Sequence, residues 1–461
     1  MITDLVIQFL IFLYPSLFVL YQLFLYKLAS GNKSVLVTSY LNEYPFLSIL
    51  VPTKGENISV IQELIDNISQ LEWDKKKMEV IIISDDSEQY FEELMSKLKI
   101  PETLNVKLYR REKKQGYKSG ALLYGYEKSK GDIILTMDVD SRLPKDALIK
   151  AYYKMVTSNC DAVALQWVGY SKNTYSKLAK GIMASTWFAS KALFDGKEKA
   201  NLSVFPVGSG TLFKREALQT VGGWDYKLVQ DDLEIGTRLV NKGKKICSSG
   251  VPIEIEVPDN FFSFYVQQTR WAMGTGEVLR HRIKYILTSK TSLLKKIDMF
   301  IHLLQYTPIL FTFLGSLLLV VLLPFISHDA LSSPLFLLWA IILGIYAYAI
   351  YNVSLKLGFT RKDALFSLGR ISAFTVAISP FVFYSFLKGL VSAKKTYVVT
   401  PKAGSKVNIQ YKIIITIGVL GIIYLLSAII YLLNHDYVTS LWLLYYSAGF
   451  LYTLLGFNRE L

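Results

Sequence analysis

Ile133-Ile134-Leu135-Thr136-Met137-Asp138-Val139-Asp140 is a short apolar run that stops at two carboxylates placed two residues apart. An unbroken apolar run of this length is what a strand buried on both faces of a parallel sheet requires, and ligands gather at the carboxyl ends of such strands. Side chains two apart on an extended segment point the same way, so Asp138 and Asp140 can face one divalent cation. Hard oxygen ligands suit Mg²⁺ or Mn²⁺, which keeps several waters and takes a substrate diphosphate as well. An Asp-x-Asp pair also occurs in plain turns, and its surroundings decide between the two readings.

Outward from this stretch, apolar runs Phe46–Val51, Val80–Ile83, Val106–Tyr109 and Ala162–Gln166 alternate with helical patterns. In the first of these, Ile58, Ile61, Ile65 and Ile68 fall on one face. Strands alternating with helices predict βαβ units and a mostly parallel sheet over residues 46–260. Polar clusters follow the strands: Pro52-Thr53-Lys54-Gly55-Glu56, then Ser84-Asp85-Asp86-Ser87, then Arg110 to Ala121, which holds Lys118 between Gly116 and Gly120. Functional residues at successive strand ends are what a nucleotide site on an open sheet needs. The two glycines would let backbone approach a phosphate, with Lys118 as its cation.

The flanks are of another kind. The chain is 52% hydrophobic over 461 residues, with mean hydropathy +0.32, which is too apolar for a purely soluble protein. Leu5–Leu28 can span a bilayer, so residues 1–30 are expected to form an N-terminal transmembrane helix. Leu303–Ile326, Leu335–Leu355, Ile413–Leu433 and Leu441–Gly456 are expected to cross within a C-terminal membrane region, residues 305–461. Leu293–Leu304, with Lys295, Lys296 and Asp298 among apolar residues, reads as an interfacial amphipathic helix. Residues 371–391 are apolar but carry Ser372, Pro380 and Lys388. Treated as interfacial or re-entrant, they leave every Lys/Arg-rich stretch on one side, with Ser327–Pro334 and Asn434–Ser440 outside and free of Lys and Arg. The positive-inside rule then gives five crossings and a cytoplasmic α/β domain at the cell membrane. The 51 Lys+Arg against 37 Asp+Glu, a net +14, fit anionic headgroups, with no pattern suggesting nucleic acid. Cys160 and Cys247 lack metal-ligand spacing, and neither a disulfide framework nor a zinc site is expected from them.

In this order the motifs resemble the membrane-embedded inverting glycosyltransferases: cellulose, hyaluronan, chitin and mannan synthases. Pro52–Glu56 resembles their first-strand loop, with Gly55 where Asn is usual. Asp85-Asp86-Ser87 resembles their base-binding segment, Lys118-Ser119-Gly120-Ala121 their Lys-Ala-Gly-Ala, and Asp138-Val139-Asp140 their metal-binding Asp-x-Asp. Gly208-Ser209-Gly210-Thr211 looks like their acceptor-side segment. Val229-Gln230-Asp231 stands where they have Thr-Glu-Asp and keeps only the Asp. Gln267-Gln268-Thr269-Arg270-Trp271 matches their Gln-x-x-Arg-Trp, three residues at a spacing that shares one helical face. Lys395 to Gly404 resembles the cellulose synthase gating loop, within residues 394–411. A plain basic loop near the membrane would look the same.

The resemblance implies a GT-A-like α/β domain set between transmembrane helices, with interfacial helices over residues 261–304. It implies a nucleotide-sugar donor, most often a UDP-sugar, held by Pro52, Thr53, Glu56, Asp85, Asp86, Lys118, Asp138, Gln267, Arg270 and Trp271. Asp138 and Asp140 would hold Mg²⁺ or Mn²⁺, and Asp231 would be the general base. Gly208, Ser209, Trp271, Tyr397, Thr400 and Lys402 would serve the acceptor and the gate. One base and no second nucleophile suggest single displacement with inversion. The expected product is a growing polysaccharide passed through the membrane; transfer of one sugar to a lipid or lipid-linked acceptor is the alternative, and a non-catalytic nucleotide-sugar binder the third reading.

Overall fold

The structure, a computed structural model, describes residues 2–31, 43–322, 330–391, 400 and 411–456. Its α/β domain is built on a seven-stranded sheet of order β3-β2-β1-β4-β6-β5-β7. The strands are β1 (Leu47–Thr53), β2 (Met78–Ser84), β3 (Asn105–Arg110), β4 (Ile133–Thr136), β5 (Ala162–Tyr170), β6 (Thr211–Lys214) and β7 (Ile246–Glu256). β1 pairs in parallel with β2 and β4, and β2 with β3. β6 runs antiparallel between β4 and β5, while β5 and β7 are parallel.

The first five strands lie where the apolar runs predict them. β1 and β2 are buried along nearly their whole length, as a sheet covered by helices on both faces demands. Helix Ile58–Ser69 starts at Asn57, whose side chain accepts from the Ser59 amide, an ordinary N-cap. It buries Ile61, Leu64, Ile65 and Ile68. β6 and β7 are not visible as apolar runs. β6 has four residues, and β7 begins through Cys247-Ser248-Ser249-Gly250-Val251-Pro252, where a register shift interrupts its pairing with β5. In register Thr53 sits beside Ser84, and Ser84 beside Arg110. The loops leaving β1, β2, β3 and β4 therefore open on one edge.

Among the described residues, five helices are long and apolar enough to cross a membrane: Ile2–Ala29, Ser333–Lys356, Arg361–Val391, Tyr411–Leu433 and Tyr437–Gly456. The run expected over Leu303–Ile326 appears as Thr307–Val321, bent 57° from Leu293–Leu303. Residues 371–391 are not a separate segment. They are the continuation of one 31-residue helix, Arg361–Val391. Length and apolarity rank this helix with the spanning ones, and it packs both on the apolar helices, through Arg370 to Tyr452 and Phe383 to Phe313, and on the α/β domain. Asp363 pairs with Lys177 and, at 2.9 Å, with Lys180. Thereafter it runs beside helix Phe261–Thr288 in the same direction, Phe374 against Phe261 and Phe381 against Tyr265. Gly389 lies so close to the Met273 carbonyl that a Cβ there would collide with it.

The N-terminal helix is fastened to the domain by a buried ion pair. Lys197 and Asp298 are 1% and 2% exposed and 2.9 Å apart, and Tyr21 donates its hydroxyl to the same carboxylate. Asp298, read from the sequence as part of an amphipathic interfacial helix, thus faces the domain, whereas Leu293, Leu294 and Ile297 on that helix are exposed.

The expectation of no disulfide is corrected: Cys160 and Cys247 are bonded. Val163 pairs with Cys247, and Cys160 stands just ahead of β5, so the sheet brings together two thiols 87 residues apart. Spacing along the chain carries no trace of that register. Both cysteines are at most 1% exposed, which keeps them from thiol reagents in the folded state. Replacing both with Ser should lower the unfolding free energy by about 2–4 kcal/mol. A fall in the thermal midpoint of the detergent-solubilised protein, matched by wild type unfolded in reductant, is the expected result.

Candidate functional site

The loops at that sheet edge, with the start of helix Asp231–Asn241 and the first turns of helix Phe261–Thr288, enclose one cleft. Of the residues singled out in the sequence, Pro52, Thr53, Glu56, Asp85, Lys118, Asp138, Asp140, Gly208, Asp231, Gln267, Arg270, Trp271 and Thr400 all line it. Asp86 and Ser209 do not. Tyr397 and Lys402 lie outside the described residues.

Lys118 holds the centre. Its Nζ is 2.7 Å from Asp138 Oδ1 and 3.6 Å from Asp231 Oδ2, and it donates to the Gly208 carbonyl at 2.8 Å. Gly208 is tied from its other side as well, its amide donating to Asp232 Oδ2 at 3.1 Å. A side chain at Gly208 would enter the space between Lys118 and Asp231. Ser209 sits behind, fully buried, where its hydroxyl accepts from the Asp138 amide at 2.9 Å and bonds Ser141 at 2.7 Å. Its carbonyl accepts from the Trp167 indole at 2.8 Å. Ser209 therefore fixes Asp138 and Trp167 from below and has no place on the cleft surface.

Asp231 and Asp232 open their helix, where the N-terminal dipole favours carboxylates. Burial nevertheless dominates. It pushes the Asp231 carboxyl up to about 7, with Lys118 opposing and Asp232 and Asp138 adding to the rise. Asp232 is raised for the same reason, burial, with Lys118 again opposing. A carboxylate that titrates near neutrality is matched to taking up a proton.

The Asp-x-Asp pair fits a hard divalent cation. Asp138 is 39% exposed at its side chain and already attracts one positive group, the Lys118 ammonium. Asp140 is 4% exposed, and its carbonyl is held by Tyr170 Oη at 2.7 Å. Two carboxylates leave several coordination positions for water and for a diphosphate, as Mg²⁺ and Mn²⁺ prefer.

Asp85 is not left to a ligand alone. Arg111 grips both its oxygens, Nε to Oδ1 at 2.7 Å and Nη2 to Oδ2 at 2.6 Å, and this pair is almost fully buried. The same guanidinium donates to the Gln115 and Tyr117 carbonyls, so it shapes the turn into the helix that carries Lys118. Asp86 turns away, accepting from the Gly55 amide at 2.7 Å and from Ser84 Oγ at 2.9 Å. Gly116 and Gly120 also differ from their expected use. Gly116 takes φ 75° against the Tyr226 backbone, and Gly120 packs against the Gln115 carbonyl and Arg111. Their missing side chains make room for protein.

The opposite wall is aromatic. Trp271, on the helix face shared with Gln267 and Arg270, lies 6.1 Å from Trp167 with the rings inclined at 35°. Trp167 on β5, Glu256 at the end of β7 and Asp259 just after it line the cleft without having been singled out in the sequence. The available signal for Trp167 was an aromatic near a strand end. For Glu256 and Asp259 it was hidden with β7 itself.

Residues 48–222 match the family model described as Glycosyl transferase family 2. A probable glycosyltransferase of Sulfolobus acidocaldarius is 56% identical over the full length of both chains. A beta-monoglucosyldiacylglycerol synthase of Synechocystis is 27% identical over 57% of this chain, which spans 54% of that relative. Among solved structures, a mannosyltransferase from Pyrobaculum calidifontis in complex with GDP-Man and Mn²⁺ has the same fold. It superposes with TM-score 0.56 at 17% identity, over 85% of this chain and 100% of that one.

The Arg111–Asp85 pair yields a test. Removing one partner of a buried pair leaves a charge without its counter-ion, which costs about 3–5 kcal/mol. Arg111→Ala should therefore lower the thermal midpoint far more than Arg111→Lys, with nucleotide binding lost in parallel, as followed by melting with and without Mn²⁺–UDP or Mn²⁺–GDP.

Proposed function

The chain belongs to glycosyl transferase family 2 and is a glycosyltransferase, and from that premise we propose that it moves one sugar, with inversion, from a nucleotide-diphosphate donor to a hydroxyl of a membrane-borne acceptor. The observation carrying this reading is where Trp271 stands. Its indole stands beside Trp167 on one wall of the cleft and also packs against the apolar cluster that the membrane helices share with helix Phe261–Thr288. An acceptor can reach the reacting centre along that wall with its apolar part still among those helices.

The donor's nucleotide lies toward Pro52, Thr53, Glu56 and the Arg111-braced Asp85. Lys118 and Arg270 face its diphosphate, Arg270 being suited to a two-pronged grip. Mg²⁺ or Mn²⁺ on Asp138 and Asp140 would supply further positive charge to the departing diphosphate. Asp231 takes the proton from the acceptor hydroxyl as that oxygen attacks the anomeric carbon from the face opposite the leaving group. The flat indole of Trp271 backs the acceptor. The α/β domain is read as cytoplasmic, because the Lys/Arg-rich stretches then share one side. Ile2–Ala29, Thr307–Val321, Ser333–Lys356, Tyr411–Leu433 and Tyr437–Gly456 are taken as the crossings, and Arg361–Val391 as an interfacial helix.

Single transfer is preferred to chain growth because of how the helices are filled. Phe12, Trp442, Tyr424, Tyr446 and Phe450 are buried between them, with Trp442 4.9 Å from Trp339 and 5.5 Å from Phe12. Polar groups there serve the packing. Ser316 accepts from the Trp442 indole, Ser447 donates to the Gly421 carbonyl, and Tyr346 bonds Gln22. A glycan path needs such groups turned inward to a channel. Processive synthesis with export is the second reading, favoured by Gln267, Arg270 and Trp271 in their motif and by the gating-like loop of Tyr397, Thr400 and Lys402.

Protein in nanodiscs with Mn²⁺, offered radiolabelled UDP- and GDP-sugars and a membrane lipid extract, should place a single labelled sugar in the organic phase. A high-molecular-weight ladder would overturn single transfer in favour of the synthase. The base must be ionised, so turnover should fall roughly tenfold per pH unit below about 7. Asp231→Asn should abolish transfer and leave Mn²⁺-dependent nucleotide binding intact; wild-type turnover in that variant would remove Asp231 from the role.

A further inference from the structure

We propose that Glu277 is the positioning residue for Asp231, holding the base loop from the helix that also carries Arg270 and Trp271. The inference rests on the reading of Asp231 as base. Glu277 is 6% exposed, and its Oε2 accepts from the Val229 amide at 2.9 Å. Val229 stands two residues before Asp231, in the stretch where the family motif has Thr and Glu and this chain has Val229 and Gln230. A charged acceptor on a buried amide makes a strong bond, and it falls on backbone, so it constrains the chain path and not one rotamer.

Neighbouring contacts converge on the same stretch. Gly274, one turn earlier on that helix, abuts Gln230, whose Oε1 would lie 2.6 Å from a Cβ there. Gln230 in turn donates to Asp232 Oδ1 at 3.1 Å, the carboxylate that holds the Gly208 amide. One turn beyond Glu277, Arg282 pairs with Glu234 at 2.8 Å and with Asp225, bracing the base helix and the chain leading to it. Glu277 occupies the middle of this seam. On its other side helix Arg361–Val391 comes so close that a Cβ at Gly389 would lie 3.0 Å from the Glu277 amide nitrogen. Base and donor-gripping arginine are thereby set by one rigid element, and that element is set by the interfacial helix.

Misplacing a reacting group by about 1 Å costs on the order of 100-fold, so loss of this bond should act on turnover and spare binding. In full-length protein in nanodiscs, Glu277→Ala should speed amide exchange at residues 229–232 by about tenfold or more. Nucleotide release from GDP-mannose or UDP-glucose should fall about 10- to 100-fold, while the affinity for Mn²⁺–GDP or Mn²⁺–UDP stays unchanged. Glu277→Gln, which keeps an acceptor oxygen, should restore most of the rate. In an Asp231→Asn background Glu277→Ala should cost nothing further. Gly274→Ala, which pushes the loop from the same side, should reproduce the turnover defect if the Glu277 variant does not fold. Unchanged exchange at 229–232, or a loss that adds to that of Asp231→Asn, would overturn the assignment. Wild-type protein that releases no nucleotide would count against the glycosyltransfer scheme, and the exchange data would still decide the role of Glu277.

Discussion

One ammonium group holds the cleft together. Asp138, Asp231 and Asp232 converge within a few ångströms of Lys118, and carboxylates brought out of water so close together repel unless a cation stands among them. Lys118 meets Asp138 and Asp231 and also pins the Gly208 carbonyl. The arrangement is poised. Burial still holds Asp231 above its ordinary range, so the charge present is too little to make every carboxylate comfortable. Such a site is suited to a divalent cation. It also keeps the Asp231 carboxylate protonatable near neutral pH, which a fully compensated carboxylate would not be.

The sheet supplies the geometry for that convergence. β1, β2 and β4 are parallel and in close register, so their carboxyl ends release Thr53, Asp85 and Asp138 on one edge. Antiparallel β6, inserted between β4 and β5, brings Gly208 and Ser209 back to the same edge just before it begins. That explains how Ser209, 71 residues from Asp138, comes to hold its amide. Ser209 then links Asp138 to the indole of Trp167, so the carboxylate side and the aromatic wall of the cleft share one turn as their foundation.

Much of this was legible in the sequence, for identifiable reasons. β1, β2 and β4 are buried on both faces and read as unbroken apolar runs. Gln267, Arg270 and Trp271 sit at helical spacing, which predicts a common face. What stayed hidden depends on contacts across long separations. Cys160 meets Cys247 only because β5 pairs with β7, and β7 is masked by serines, a glycine and a proline. Arg111 looked like one more cation in a basic loop until Asp85 was found between its nitrogens. Gly116 and Gly120 suggested a phosphate cradle, whereas the space they leave is filled by Tyr226 and Arg111. Glycine shows that something comes close without showing what. The helix Arg361–Val391 is the plainest case: composition shows an apolar segment over 371–391 and not that it continues a longer helix packed on both the α/β domain and the apolar helices.

The departure from the family motif at Val229 and Gln230 then has a physical account. A base needs its backbone held, and the holding group need not be adjacent in sequence. Here Glu277 supplies it through the Val229 amide, on the same helix as Arg270. In the proposed scheme, coupling Asp231 to that helix makes proton removal and diphosphate departure share a frame. It also places the frame under helix Arg361–Val391, whose Gly389 allows approach to backbone distance at Met273 and Glu277. A catalytic domain merely tethered to a membrane would need no such contact. The proposed acceptor, arriving along the apolar helices, gives that contact its use, because Asp231 would then have to be aligned with a hydroxyl whose height is set by the bilayer.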